Sequence, residues 1–303
     1  MPQVSPEIAV TLKDLLKLEY LVIQRRLVPE KQVHSILAGK NISKLRGRGL
    51  DFEEVRKYVS GDDIRNIDWK VTARTRVTHT KVFTEEKERP VFTIVDLSSG
   101  MFFGSVKYTK SVIASQLAAI SAFRTLKIGD RFGGLIFNEE RDSYIAPKRS
   151  RGAVLRYLEQ VVHFGRQLMN REQIKPSGLR LNEVLKRAYA SITHDYVITI
   201  ISDFTHVDEE ARRLLINLAQ HNDVILVQIT DPFEANVPQS SVLLSDGQKQ
   251  LSLKPSKDLK GKLETVFEDQ RSFFKELRKF GIVHMEVNTT SDVEAQLKEL
   301  FRR

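Results

Sequence analysis

Asp96 and Ser98 stand two positions apart at the end of an apolar run, Val91-Phe92-Thr93-Ile94-Val95. A carboxylate and a hydroxyl on one side of a tight turn are hard oxygen donors, suited to Mg²⁺. A second apolar run, Tyr196 to Ser202, ends at another carboxylate, Asp203. Ligands of open α/β sheets gather at the carboxyl ends of the strands, so the three residues are expected together. Ser98 or Ser99 with His206 and Asp203 is also the raw material of a hydrolase. However, there is no Gly-x-Ser-x-Gly elbow, and Asp203 and His206 fall on one loop, which disfavours that chemistry. The sequence has no Gly-x-x-x-x-Gly-Lys-Ser/Thr loop for nucleotide phosphates. Its seven histidines are scattered, with no His-Glu-x-x-His.

The elements that must position these residues follow from periodicity. The run at 91–96 reads as a strand buried on both faces, as in a parallel sheet. Helical patterns over 105–127, 151–164, 180–191 and 258–280 alternate with apolar runs at 131–137, 196–202, 224–229 and 282–287. Thr205 and Asp208 mark a further helix start, and a last helix closes the chain. Such alternation implies right-handed βαβ units and a sheet covered on both faces. Asp246-Gly247, between two short apolar runs, signals a hairpin. Upstream, residues 6–37 read as helix broken at Pro29. The Val- and Thr-rich stretch 71–84 reads as strands or a hairpin.

Composition bounds the rest. The chain has 303 residues, enough for one large α/β domain with additions, or two domains. We expect a division at 1–89 and 90–303. It has no cysteine, which excludes thiolate chemistry, Cys-bound zinc and disulfides, and points to an intracellular, cytoplasmic place. No run of eighteen apolar residues is present, so no membrane span is expected. Met1 to Asp14 has no basic head followed by an apolar core, so no secretory signal is expected. The formal charge is +9, concentrated between Lys148 and Arg187, where ten Lys and Arg face three Glu. That 148–187 patch offers an alternative role, binding nucleic acid. Few aromatics interleave with the cations, which argues against a stacking platform.

The strand ending in Asp-x-Ser and the later strand ending in Ser-Asp resemble a von Willebrand factor A domain, which implies a Rossmann-like, mostly parallel sheet with helices on both faces. In that fold a metal ion sits at the top of the sheet. Asp96, Ser98 and Asp203 match three of its ligand positions. Gly100 stands where a second Ser belongs, and Leu179 where a Thr belongs. The resemblance therefore implies a degenerate site, with Mg²⁺ held weakly through added water or partly replaced by a cation such as Arg180. Residues 47–74 carry a more specific likeness. Gly47, Gly49, Arg56, Tyr58, Gly61, Asp62, Arg65, Asp68, Trp69 and Arg74 resemble the signature of the bacterial "domain of unknown function fifty-eight" family. This signature segment, of helical and β character, precedes the α/β domain. The resemblance implies a non-enzymatic adaptor for a MoxR-type AAA+ ATPase, binding protein partners. Read physically, the alternating Arg and Asp imply ion pairs inside the segment. Trp69, the only tryptophan, is expected to be buried as its anchor.

Overall fold

The computed structural model describes residues 5–24, 51–84, 89–169, 178–205, 207–235, 242–245, 250–253 and 257–300. Its elements in chain order are α1 (Leu12–Gln24), β1 (Asp51–Lys57), α2 (Trp69–Thr75), β2 (His79–Thr84), β3 (Val91–Asp96) and α3 (Lys110–Ile128). There follow β4 (Phe132–Phe137), β5 (Asp142–Lys148), α4 (Arg151–Leu168), α5 (Gly178–Ser191), β6 (Val197–Ser202), α6 (Glu209–Ala219) and β7 (Asp223–Thr230). The short α7 (Pro232–Ala235), β8 (Val242–Ser245), β9 (Gln250–Leu253), α8 (Lys257–Arg278), β10 (Val283–Asn288) and α9 (Val293–Leu300) complete the chain.

Six strands form one sheet in the order β10-β7-β6-β3-β4-β5. All neighbours run parallel except β5, which pairs antiparallel with β4 at the edge. The strand read first in the sequence is therefore central. The chain goes from β3 to β4 on one side, then returns to β6 on the other, which makes the end of β3 a topological switch point. Alternation along β3 sends Phe92 and Ile94 into one core and Val95 into the other. The Val95 core is covered by α1, α3, α4 and α9, and the core of Phe92 and Ile94 by α5, α6 and α8. This is the von Willebrand factor A-like, mostly parallel α/β architecture expected from the sequence.

Local chemistry explains the boundaries. Gly129 ends α3 in the left-handed region, at φ 91°, which a side chain disfavours. Gly134 lies in β4 against β3 and α4. A Cβ there would meet Thr93 O at 2.4 Å and the Tyr157 ring at 2.5 Å. Tyr157 is fully buried, with its hydroxyl donating to Thr93 O at 3.2 Å.

Two expectations are corrected. The chain divides into a compact unit of Met1–Gly39 with Arg89–Arg303 and a smaller one of Lys40–Glu88, so α1 belongs with the sheet and not with the signature. The reason is burial: Val10, Leu15 and Val22 join the core over α3. Secondly, residues 71–75 are helical, although 71–84 reads as strand from its Val and Thr. Asp68 caps α2, accepting from the N–H groups of Lys70 and Val71, and that cap outweighs the weak β preference of Val71 and the threonines.

Gly134→Ala is expected to destabilise the protein by about 1–3 kcal/mol through overpacking. Urea denaturation checks this, and an unchanged midpoint would show that Tyr157 and β3 can move apart freely.

Candidate functional site

Because β3 and β6 are adjacent and parallel, their carboxyl ends bring Asp96 and Asp203 to the same place. Both are buried, as is Ser98. Asp96 Oδ1 accepts from the Ser98 N–H at 2.9 Å, and Oδ2 accepts from the Ser202 hydroxyl at 2.6 Å. Asp203 Oδ1 accepts from the Thr205 N–H at 3.0 Å. Burial, and then the charge of Asp203, push the Asp96 carboxyl up to about 6.

The cation at this place is Lys110. It is the first residue of α3, and its side chain is 1 % exposed. Its Nζ lies 3.4 Å from Asp203 Oδ2 and makes a short bond to Glu234 Oε1. Glu234 sits in α7, and its Oε2 accepts from the Asp231 N–H at 3.0 Å. Asp231 Oδ1 accepts in turn from the Phe233 N–H, so the two acids form a reciprocal cap. Burial raises the Glu234 carboxyl above its usual range despite the ammonium. Burial works the same way on Asp231, but hydrogen bonds from Ser105 and Thr289 outweigh it and hold that carboxyl low.

The sequence offered Arg180, or a nearby cation, as the compensating charge. The structure corrects the first of these: Arg180 pairs with Asp142 at 2.7 Å and with Glu183. Lys110 gave no signal because a lone lysine opening a helix has no partner in the local sequence. Glu234 lies 124 residues away.

The backbone after Asp203 is held as firmly as the side chains. Phe204 adopts a left-handed φ of 52°, a conformation costing about 1–3 kcal/mol for a non-glycine residue. Gln270 of α8 donates to Phe204 O at 2.8 Å and to Asp203 O at 3.4 Å. The Phe204 ring packs edge-on against Phe274. Gln270 Oε1 accepts from Gln228, whose Oε1 faces His284 Nε2 at 3.0 Å. A polar chain thus runs from His284 to the loop that aims Asp203.

The donor set does not fit a divalent metal. Mg²⁺ wants near-octahedral oxygen coordination. Gly100 has no side chain, and a Cβ there would lie 3.2 Å from Asp203 Oδ2. Leu179 carries no side-chain oxygen. The Ser98 hydroxyl is buried without a hydrogen-bond partner of good geometry, leaving it as one neutral donor. Among the described residues, no group of three or more His, Cys, Asp or Glu is arranged to hold a metal ion.

The signature forms its own small unit. β1 and β2 pair antiparallel. Arg56 makes a bidentate bond to Asp62 at 2.7 and 2.8 Å, and Asp62 also accepts from the Val59 N–H. Gly61 turns the chain at φ 105°. Arg65 pairs with Asp63, and Asp68 has Lys81 at 3.8 Å. The Tyr58 N–H bonds to Thr78 O. Trp69, expected to be buried, is 70 % exposed. The segment closes through its ion pairs and the Asp68 cap, which need no apolar anchor. Arg74 is exposed too. Gly47, Gly49 and His206 lie outside the described residues. In the 148–187 stretch, Arg151 pairs with Glu19, Lys186 with Glu210, and Arg180 and Arg187 with Asp142, so much of that charge is offset locally.

Fold and site together define an α/β protein of von Willebrand factor A-like architecture, with a buried ion-paired cluster at the carboxyl end of its sheet. The family described as "Protein of unknown function DUF58" matches residues 54–271, and the chain belongs to that family. It is 26% identical over 247 residues to Uncharacterized protein Mb1516 of Mycobacterium bovis, covering 80% of this chain and 72% of that one. The same figures hold for Uncharacterized protein Rv1480 of Mycobacterium tuberculosis. Among solved structures, BatB from Bacteroides thetaiotaomicron aligns at a TM-score of 0.44 and 12% identity, over 71% of this chain and 96% of that one. A von Willebrand factor type A protein from Catenulispora acidiphila aligns at 0.32 and 15% identity, over 75% and 43% respectively. Likenesses at this level carry no argument about the site. No helix among the described residues is long and apolar enough to cross a membrane.

One pH dependence follows from the polar chain. His284 stacks on Phe274 with ring centroids 3.8 Å apart. Burial, and then the charge of Arg278, push its pKa down to about 4. The folded state therefore favours the neutral ring. The stabilisation is complete above the unfolded value of 6.5 and is lost as pH falls from there towards 4. Because the ring is partly solvated, the loss is expected to be about 1–2 kcal/mol. Melting curves across pH 4–7.5 check this, and His284→Phe should flatten that part of the profile.

Proposed function

We propose that the protein is a non-enzymatic adaptor that works inside the cell with a MoxR-type AAA+ ATPase and presents a protein substrate to it. The observation that carries this reading is the exposure of Trp69 within the family signature. A tryptophan 70 % open to solvent contributes little to folding. Tryptophan is, however, the side chain most enriched among residues that dominate binding energy at protein interfaces. Val59 and Ile64 of the same unit are 61 % and 68 % exposed. They add apolar surface to a segment otherwise closed by charge pairs, and Arg74 is exposed in the same helix, α2.

The non-enzymatic reading draws support from the site. Ser99 donates its hydroxyl and its N–H to Glu139, and Ser98 is buried. The carboxylates are engaged by Lys110 or by N–H and O–H donors. Nucleotide chemistry falls to the ATPase, because this sequence has no phosphate loop of that kind.

Co-purification with ATPases from the same cell tests the reading, and a MoxR-type ATPase should be recovered in stoichiometric amount. Trp69→Ala should change folding stability by no more than about 0.5 kcal/mol, as for other surface sites. It should weaken capture by at least about 2 kcal/mol, or roughly thirtyfold. Undiminished capture by Trp69→Ala would move the partner surface away from the signature. Recovery of nucleic acid in place of an ATPase would favour the 148–187 patch.

A further inference from the structure

The sequence likeness leads one to look for a metal ion at the end of β3 and β6, and the residues present there do not make a place for one. We propose that the Lys110 ammonium is the built-in cation of this site, and that the protein takes up no divalent metal there. The proposal concerns the ion chemistry of the sheet end and stands independently of any partner ATPase.

Three observations carry it. The first is the position of the lysine. Lys110 opens α3 directly after Thr109, where the partial positive charge of a helix N-terminus favours acids and opposes a cation. Its ammonium is nevertheless almost wholly buried. A charge in that position persists only with close countercharges, and Asp203 and Glu234 provide them.

The second is the state of the carboxylate oxygens. Each of the six on Asp96, Asp203 and Glu234 already faces a protein donor: the Ser98 N–H, the Ser202 hydroxyl, the Thr205 N–H, the Asp231 N–H and, for two of them, Lys110. A metal ion would have to displace the ammonium or sit beside it against like-charge repulsion. The Ser98 hydroxyl, without a hydrogen-bond partner of good geometry, is a single neutral oxygen, which cannot compete for Mg²⁺ with six waters.

The third is Gly100. A Cβ at this position would come to 3.2 Å from Asp203 Oδ2, the same oxygen that Lys110 contacts. A serine there, as in the metal-binding pattern, would crowd that oxygen. The absence of a side chain at 100 and the presence of the lysine at 110 are thus two parts of one arrangement.

The test is metal uptake by the full chain. Titration calorimetry of the wild-type protein with MnCl₂ and MgCl₂ should show no stoichiometric binding, and its Tm should be the same in EDTA as in millimolar Mn²⁺. Lys110→Ala removes the only described cation paired with these three carboxylates. That variant should melt lower, and Mn²⁺ should restore part of the loss, by about 5 °C at a hundredfold excess over Kd. Stoichiometric uptake by the wild type, lost in Asp203→Asn, would overturn the proposal. So would a folded Lys110→Ala protein indifferent to Mn²⁺, because something other than the lysine would then exclude the ion. If Lys110→Ala does not fold, Lys110→Gln keeps the volume of the side chain, and the wild-type titration decides on its own.

Discussion

Two carboxylates at the ends of adjacent parallel strands, in a place nearly closed to water, are the constraint on which this structure depends. The pairing of β3 with β6 puts Asp96 and Asp203 there whatever else the chain does. Two uncompensated negative charges at such a position repel each other and lose their hydration. The surroundings answer in different ways for each. Asp96 receives hydrogen bonds and has its pKa raised, whereas Asp203 receives an ammonium. The ammonium needs a second countercharge because it too is buried, and Glu234 of α7 supplies it. One electrostatic requirement thus ties together β3, α3, the loop after β6 and the turn after β7.

The rest of that end of the sheet serves to hold the geometry. The left-handed conformation of Phe204 would relax if nothing opposed it. Gln270 on its carbonyl and Phe274 against its ring oppose it from α8. Gln270 is itself positioned through Gln228 and His284, so the aim of Asp203 depends on β7 and β10 as well as on its own strand. A buried polar chain of this kind is stiff only while every member is paired, since each group left unpaired in a low-dielectric place is costly.

The signature unit follows the opposite logic. Among its described residues only Thr80 is buried, and its closure rests on Arg56–Asp62, Arg65–Asp63 and the Asp68 cap. Exposed ion pairs contribute little stability individually, but a bidentate Arg–carboxylate pair fixes direction well. Such a unit can keep its apolar side chains outward. The residues that carry the sequence signature and the most exposed aromatic among the described residues therefore lie in one unit.

The sequence by itself determined the sheet, its order of elements and the meeting of Asp96, Ser98 and Asp203. These follow from short-range periodicity and from the rule that parallel strands end at one edge. It also showed that two expected metal ligands were lacking, since Gly100 and Leu179 can be read directly. Which cation answers the carboxylates was decided only by tertiary structure. Arg180 is near the missing ligand in sequence but lies on Asp142. Lys110 and Glu234 are brought together by the return of β7 beside β6. Whether Trp69 is anchor or surface was likewise open, because the sequence gives its apolar area but not what covers it. The helix in place of a strand at 71–75 turned on one cap, Asp68, whose hydrogen bonds outweigh the weak preferences of the residues after it.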